Sequence, residues 1–186
     1  INKNTKTVAL HKKINSIYPD RLDDGGRDPH IWLSPKRVIV IVEAIADIII
    51  NADPENKDFY QKNCDNYISK LKELDGYIKS SFNGKTNRKF IAFHPAFGYF
   101  ADDYELDMYA LEEHGKEATA KRIAEIAKLA RDEDIRFIFY QAEASQKQAV
   151  AFAEEIDGTA VMLEPLAADY INNLKIMTDL LKKAMK

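Results

Sequence analysis

Two stretches of the chain set a side chain able to bind a metal or carry a proton directly after an apolar run and directly before a proline. His94 follows Phe90-Ile91-Ala92-Phe93 and precedes Pro95; Glu164 follows Thr159-Ala160-Val161-Met162-Leu163 and precedes Pro165. Proline narrows its own backbone freedom and that of the residue before it, so each polar side chain leaves its strand end in a restricted direction. A parallel sheet collects ligands beyond the C-terminal ends of its strands. The imidazole and the carboxylate are therefore expected on one rim, together with Gln141 and Glu143 after the strand ending at Tyr140. His30, in Asp28-Pro29-His30-Ile31-Trp32, is a third candidate, in a compact segment that ends at a helix cap. Zinc takes imidazole nitrogen and carboxylate oxygen, so His30, His94 and Glu164 compose a candidate metal site. The same residue types also serve as an acid–base pair or as unrelated surface groups, and three ligands with an open position describe hydrolytic zinc too. Hydrolysis has little sequence support. No HExxH is present, and no Ser or Cys has a base partner. Glu143 is the one nominee for a general base.

The remaining reactive side chains read as structural. His11 lies in a polar leader and is expected in solvent, and His114 sits in a loop after a short strand. Cys64 falls on the apolar side of a long helix and reads as a buried thiol. Tyr60, Tyr67 and Tyr77 read as cover for that helix's packed side, and Trp32 as an anchor for the loop that carries His30.

The elements that must position these residues follow from periodicity and punctuation. Ser34-Pro35 is an N-cap with proline at the first helical position, opening a helix to about Asn51. Asp53-Pro54 restarts a helix in the same manner, running to Phe82, roughly 40 Å at ~1.5 Å per residue. So long a helix reads as a strut rather than a core element. From Lys89 onward, strands near Phe90–Phe93, Leu106–Leu111, Arg136–Tyr140 and Thr159–Leu163 alternate with helices near 96–104, 118–131, 145–155 and 170–185. Short strands separated by such helices indicate βαβ units and an α/β fold with a four-stranded parallel sheet. Three parts result: residues 1–51, a long helix over 52–83, and a Rossmann-like lobe over 84–186.

Composition narrows the function classes. With 46% hydrophobic and 31% charged residues, the 186-residue chain has the make-up of a globular protein. Its formal net charge of -3, with no Lys/Arg stripe, gives no footprint for nucleic acid. No apolar run reaches the ~18 residues of a spanning helix. One cysteine excludes an intrachain disulfide, and 7 glycines without GxGxxG give no support to dinucleotide binding. No leader is visible, and a start on Ile1 is expected of a processed, cleaved or truncated product.

The segments quoted above resemble the metal-binding solute receptors of zinc and manganese ABC importers, the ZnuA/TroA-like group known as cluster A-I. Asp28-Pro29-His30-Ile31-Trp32-Leu33-Ser34-Pro35 is similar to that family's DPHxWLDP segment, with Ser34 in place of the usual Asp. Asp53-Pro54-Glu55-Asn56 with Tyr60, Asn63 and Tyr67 resembles the start of its rigid linker helix. His94-Pro95-Ala96-Phe97-Gly98-Tyr99-Phe100, Glu143-Ala144-Ser145, Gly158 and Glu164-Pro165-Leu166 resemble later segments in the same order, with Glu164 where Asp is common. The likeness runs from about Asp28 to the end. It implies two Rossmann-like lobes joined by one long helix, with residues 1–51 a remnant of the first lobe and metal held between the lobes. His30 would come from the first lobe, and His94 and Glu164 from the second. The family usually adds another His from early in its first lobe, which has no match here, so a fragment or a half-protein is implied. The implied function is extracytoplasmic capture of zinc, with manganese as the alternative, for an ABC permease, from the periplasm or a lipid-anchored surface position and without catalysis. His94 favours zinc, since imidazole suits zinc and oxygen ligands suit manganese. A module that has lost metal function, and a metal-dependent hydrolase, remain the rival classes. Without the facing lobe, Val38, Ile39, Val42 and Ile45 should be exposed, which predicts a homodimer through the remnant, or partial disorder of residues 1–50.

Overall fold

The computed structural model describes residues 7–23, 26–112, 116, 118–142 and 146–186. A short helix α1 (Leu10–Asn15) and a two-stranded antiparallel hairpin, β1 (Leu22–Asp23) and β2 (Gly26–Arg27), lead to a 3-10 turn at Ile31–Leu33. Helix α2 (Pro35–Ala52) starts where Ser34 and Pro35 foretold, with the Ser34 side chain accepting from the Arg37 N–H. Asp53 does not repeat that device. Its carboxylate instead accepts from Asn56 Nδ2 at 2.9 Å and the Tyr60 hydroxyl at 2.7 Å. A 3-10 turn at Pro54–Asn56 then precedes α3 (Lys57–Ser81).

Strand and helix alternate from there: β3 (Lys89–Ala92), α4 (Gly98–Asp103), β4 (Asp107–Ala110), α5 (Ala120–Asp132), β5 (Phe137–Gln141), α6 (Gln146–Glu155), β6 (Thr159–Leu163) and α7 (Tyr170–Ala184). The four strands form a parallel sheet in the order β4-β3-β5-β6. Period-2 alternation sends Phe90, Ala92 and Phe139 to one face, where they meet Leu74 and Ile78 of α3, Phe82 just after it, Phe100 of α4 and Leu174 and Met177 of α7. Ile91, Phe93, Ile138 and Tyr140 face the other way, onto Ile126, Ala127 and Ala130 of α5 and Ala149, Phe152 and Ala153 of α6. This is the Rossmann-like layering that alternation implied, and it leaves the strand ends as one rim.

Helix α3 is more than a strut. Its buried stripe, Cys64, Ile68, Leu71, Leu74 and Ile78, recurs at three and four residues. The first part packs on Ala46 of α2, with Ile39 and Val42 partly covered beside it. The second part enters the main core. Of the α2 residues expected to be bare, Val38, Ile39 and Val42 are thus partly covered and Ile45 is 39% exposed; Ile49, outside that expectation, is 38% exposed. Among the described residues no helix is long and apolar enough to cross a membrane.

Candidate functional site

The rim beyond β3 and β4 is set by strand register. Ala92 stands opposite Ala110 in the parallel pair. Pairing continues past the strand ends, with the Leu111 N–H donating to Ala92 O at 3.1 Å and the Glu112 N–H to Phe93 O at 2.9 Å. His94 and Glu112 therefore emerge side by side, and Glu112 Oε2 lies 2.7 Å from His94 Nδ1.

His30 arrives from the other side by a local turn. Pro29 bends the chain so that Asp28 Oδ1 accepts both from the His30 N–H at 2.9 Å and from its Nδ1 at 2.8 Å. Asp28 itself is 4% exposed. Arg21 Nε approaches its other oxygen at 3.7 Å, and Arg21 Nη1 reaches Asp102 at 2.6 Å. Gly98, at the start of α4, makes room for this pair: a Cβ there would stand 2.3 Å from Arg21 Nε and 2.8 Å from Asp28 Oδ2. Trp32, whose ring centroid is 5.4 Å from that of His30, donates from Nε1 to Pro165 O at 3.0 Å. The Tyr170 hydroxyl donates to Trp32 O at 2.7 Å, and burial raises the pKa of that phenol.

A buried ion cluster fixes the same segment to the sheet lobe. Asp103 at the end of α4 accepts from Arg37 Nε at 2.9 Å and Nη2 at 3.1 Å, and from the Ser34 hydroxyl, with Lys36 Nζ at 2.7 Å. Arg37 also donates to Pro19 O at 2.9 Å and lies 4.6 Å over the Tyr99 ring. Burial works to raise the Asp103 carboxyl, but its bonds to Arg37, Lys36 and Ser34 prevail and hold it below the ordinary 3.8.

The two imidazoles meet at their free nitrogens. His30 Nε2 and His94 Nε2 are 3.4 Å apart, with the rings edge to face and their centroids 5.2 Å apart. An ionised carboxylate only accepts, so both Nδ1 atoms carry hydrogen, and when both rings are neutral their Nε2 atoms present lone pairs to each other. Two facing acceptors repel, and a cation between them would satisfy both.

Glu164 follows β6 as its motif foretold, with its side chain exposed and its backbone oxygen accepting from Asn173 Nδ2 at 2.6 Å. Among the described residues no three His, Cys, Asp or Glu side chains are gathered to hold a metal ion: the two histidines stand together, and Glu164 does not join them. Glu143 and His114 lie outside the described residues. Gln141, at the end of β5, is half-buried, and its Nε2 has no hydrogen-bond partner among the described residues. His11 is partly covered on α1, and Cys64 is buried at 7% exposure. Sequence reasoning missed Asp28 and Glu112 as partners of the two imidazoles. The Asp-Pro-His spacing was a usable signal for the first. The second needed the β3–β4 register.

Residues 1–184 match the family model described as "Zinc-uptake complex component A periplasmic", ZnuA. The chain is 38% identical over 141 residues to the zinc-binding protein AdcA of Streptococcus pyogenes, covering 75% of this chain and 27% of that protein. It is 31% identical over 170 residues to the high-affinity zinc uptake system protein ZnuA of Bacillus subtilis, covering 85% of this chain and 53% of that one. The crystal structure of the Zn(II)-bound ZnuA-like domain of Streptococcus pneumoniae AdcA superposes with a TM-score of 0.74 at 31% identity, over 88% of this chain and 66% of that one. The chain thus spans about half or less of the length of the curated relatives it matches.

Proposed function

The chain belongs to the ZnuA family of zinc-uptake component A proteins, and on that premise we propose that it captures a divalent transition metal, zinc before manganese, outside the cytoplasm for delivery to an ABC importer. The observation that carries this reading is the 3.4 Å between the two Nε2 atoms. Two nitrogens bound to zinc at about 2.0–2.1 Å in tetrahedral geometry stand about 3.3–3.4 Å apart, whereas a right-angled octahedral edge at that bond length gives about 2.9 Å. The carboxylate behind each ring is the arrangement that holds a metal-binding imidazole in the correct tautomer.

His30 and His94 supply the two nitrogens in this proposal, and Glu164 supplies a third ligand once the metal is bound. Glu164 precedes Pro165, whose carbonyl is tied to Trp32 two residues beyond His30. Capture and release involve no bond chemistry in the protein. The metal replaces water on neutral imidazoles and a carboxylate, and is handed to a membrane permease. The zinc-binding names of the relatives support the choice of metal, and the family description supports the extracytoplasmic setting, in a periplasm or on an anchored surface protein. Ile45 and Ile49, exposed on α2, supply the apolar surface through which a second copy would pack. A doubled mass in solution would mark that homodimer.

Isothermal titration of metal-stripped protein tests the reading. Stoichiometric zinc binding with weaker manganese binding is expected, weakened at least tenfold by His94→Ala and less by Glu164→Gln. Heat no different from dilution for both metals, or His94→Ala binding like the parent, would refute it.

A further inference from the structure

We infer that Glu112 is a positioning residue for metal capture: it fixes the His94 ring with hydrogen on Nδ1, so that Nε2 is free for the metal. The inference rests on the proposed function and assigns a role to a side chain that touches no metal itself. Its support lies in how the fold builds the pair. His30 receives its carboxylate from two residues away, through a turn that Asp28 makes by itself. His94 has no acidic residue so near in the chain. Its partner comes from 18 positions on, delivered by the parallel register of β3 and β4.

The backbone of Glu112 is pinned before its side chain turns back, since its N–H donates to Phe93 O at 2.9 Å, one residue before His94. The side chain then needs little freedom to reach Nδ1 at 2.7 Å. Both groups are partly shielded, with side-chain exposures of 29% for His94 and 20% for Glu112. Because an ionised carboxylate cannot donate, hydrogen on His94 Nε2 would leave Glu112 and Nδ1 as two acceptors in contact. That tautomer would also turn an N–H toward His30 Nε2, the nitrogen 3.4 Å away, and offer no lone pair to a cation. Glu112 disfavours it at Nδ1, where two acceptors would meet. Removing such a partner from a metal-binding histidine typically weakens binding about 10–100-fold.

The experiment compares the parent chain with Glu112→Ala and Glu112→Gln by zinc titration, and by imidazole ¹H–¹⁵N correlation on the metal-free proteins. The amide oxygen of Gln still accepts, so Glu112→Gln is expected to stay near the parent. Glu112→Ala is expected to lose about 10–100-fold in zinc affinity with a thermal midpoint within a few degrees of the parent. In the parent, His94 should show the Nδ1–H tautomer, and in Glu112→Ala that signature should be lost. Zinc affinity of Glu112→Ala within twofold of the parent, or an Nε2–H tautomer in the parent, overturns the inference. If the parent itself binds no zinc, the functional reading fails, and the tautomer of the metal-free protein still decides the role of Glu112.

Discussion

Asp103→Ala is the most informative single change away from the imidazoles. Asp103 is 4% exposed at its side chain and Arg37 is 7% exposed, with two hydrogen bonds between them. Removing the anion leaves a buried guanidinium without its counter-charge, a loss of about 3–5 kcal/mol in comparable sites. Arg37 keeps the Pro19 carbonyl at 2.9 Å and the Tyr99 ring face at 4.6 Å, and Lys36, 27% exposed, can turn to solvent. Those retained partners set the expected loss at the lower end, about 3 kcal/mol. With a urea slope of about 2 kcal/mol/M, the unfolding midpoint should fall by about 1.5 M. The assay is equilibrium urea unfolding of metal-free protein, followed by far-UV circular dichroism and by Trp32 fluorescence. Pairing Arg37→Met with Asp103→Leu should recover part of the loss, because no unpaired charge then remains buried. A loss below about 1 kcal/mol for Asp103→Ala, the scale of an exposed pair, would refute the claim that this cluster ties α2 to α4.

Two further outcomes follow from the same neighbourhood. Acid should weaken the fold through Asp103: its carboxyl lies below 3.8 in the folded protein, so on acidification the unfolded chain takes up the proton first. The associated stability is present above about pH 4 and is lost as pH falls through the depressed value, so the acid slope of the urea midpoint should be shallower in Asp103→Asn than in the parent. Gly98→Ala should cost about 1–3 kcal/mol, because the added methyl cannot coexist with Arg21 Nε at 2.3 Å and Asp28 Oδ2 at 2.8 Å. It should also weaken zinc binding by displacing the carboxylate behind His30, read by thermal unfolding and titration of one sample.

The alternation of strand and helix after Lys89 was legible because each strand is a short apolar run with its own punctuation. Ser34-Pro35 was legible because a cap acts over three residues. Asp53-Pro54 carried the same signal, yet its carboxylate went to Asn56 and Tyr60, since the Asn56 amide and a hydroxyl seven positions on competed for it. His30 and His94 stood out by their proline neighbours. That their Nε2 atoms face each other depends on contacts 64 positions apart, which no local pattern carries. Glu112 was hidden for the same reason. Within Leu111-Glu112-Glu113-His114 it reads as one acid of a polar loop, and only the register singles it out. The apolar stripe of α3 was plain, but which surface each half would meet was not. The Arg37–Asp103 cluster was invisible too, since a lone Arg near a helix start ordinarily faces solvent.

The tie between α2 and α4 has a mechanical consequence. Force applied along α2 enters the sheet lobe at two points: through the Arg37–Asp103 bond at one end of the helix, and through α3 along its flank. A body held at two separated points resists rotation as well as translation. The segment bearing His30 lies next to the stiffer of the two attachments, so it should move with the sheet as one piece. Farther along α2 the hold passes to side-chain packing on α3 and to the Tyr60–Asp53 hydrogen bond at the helix end.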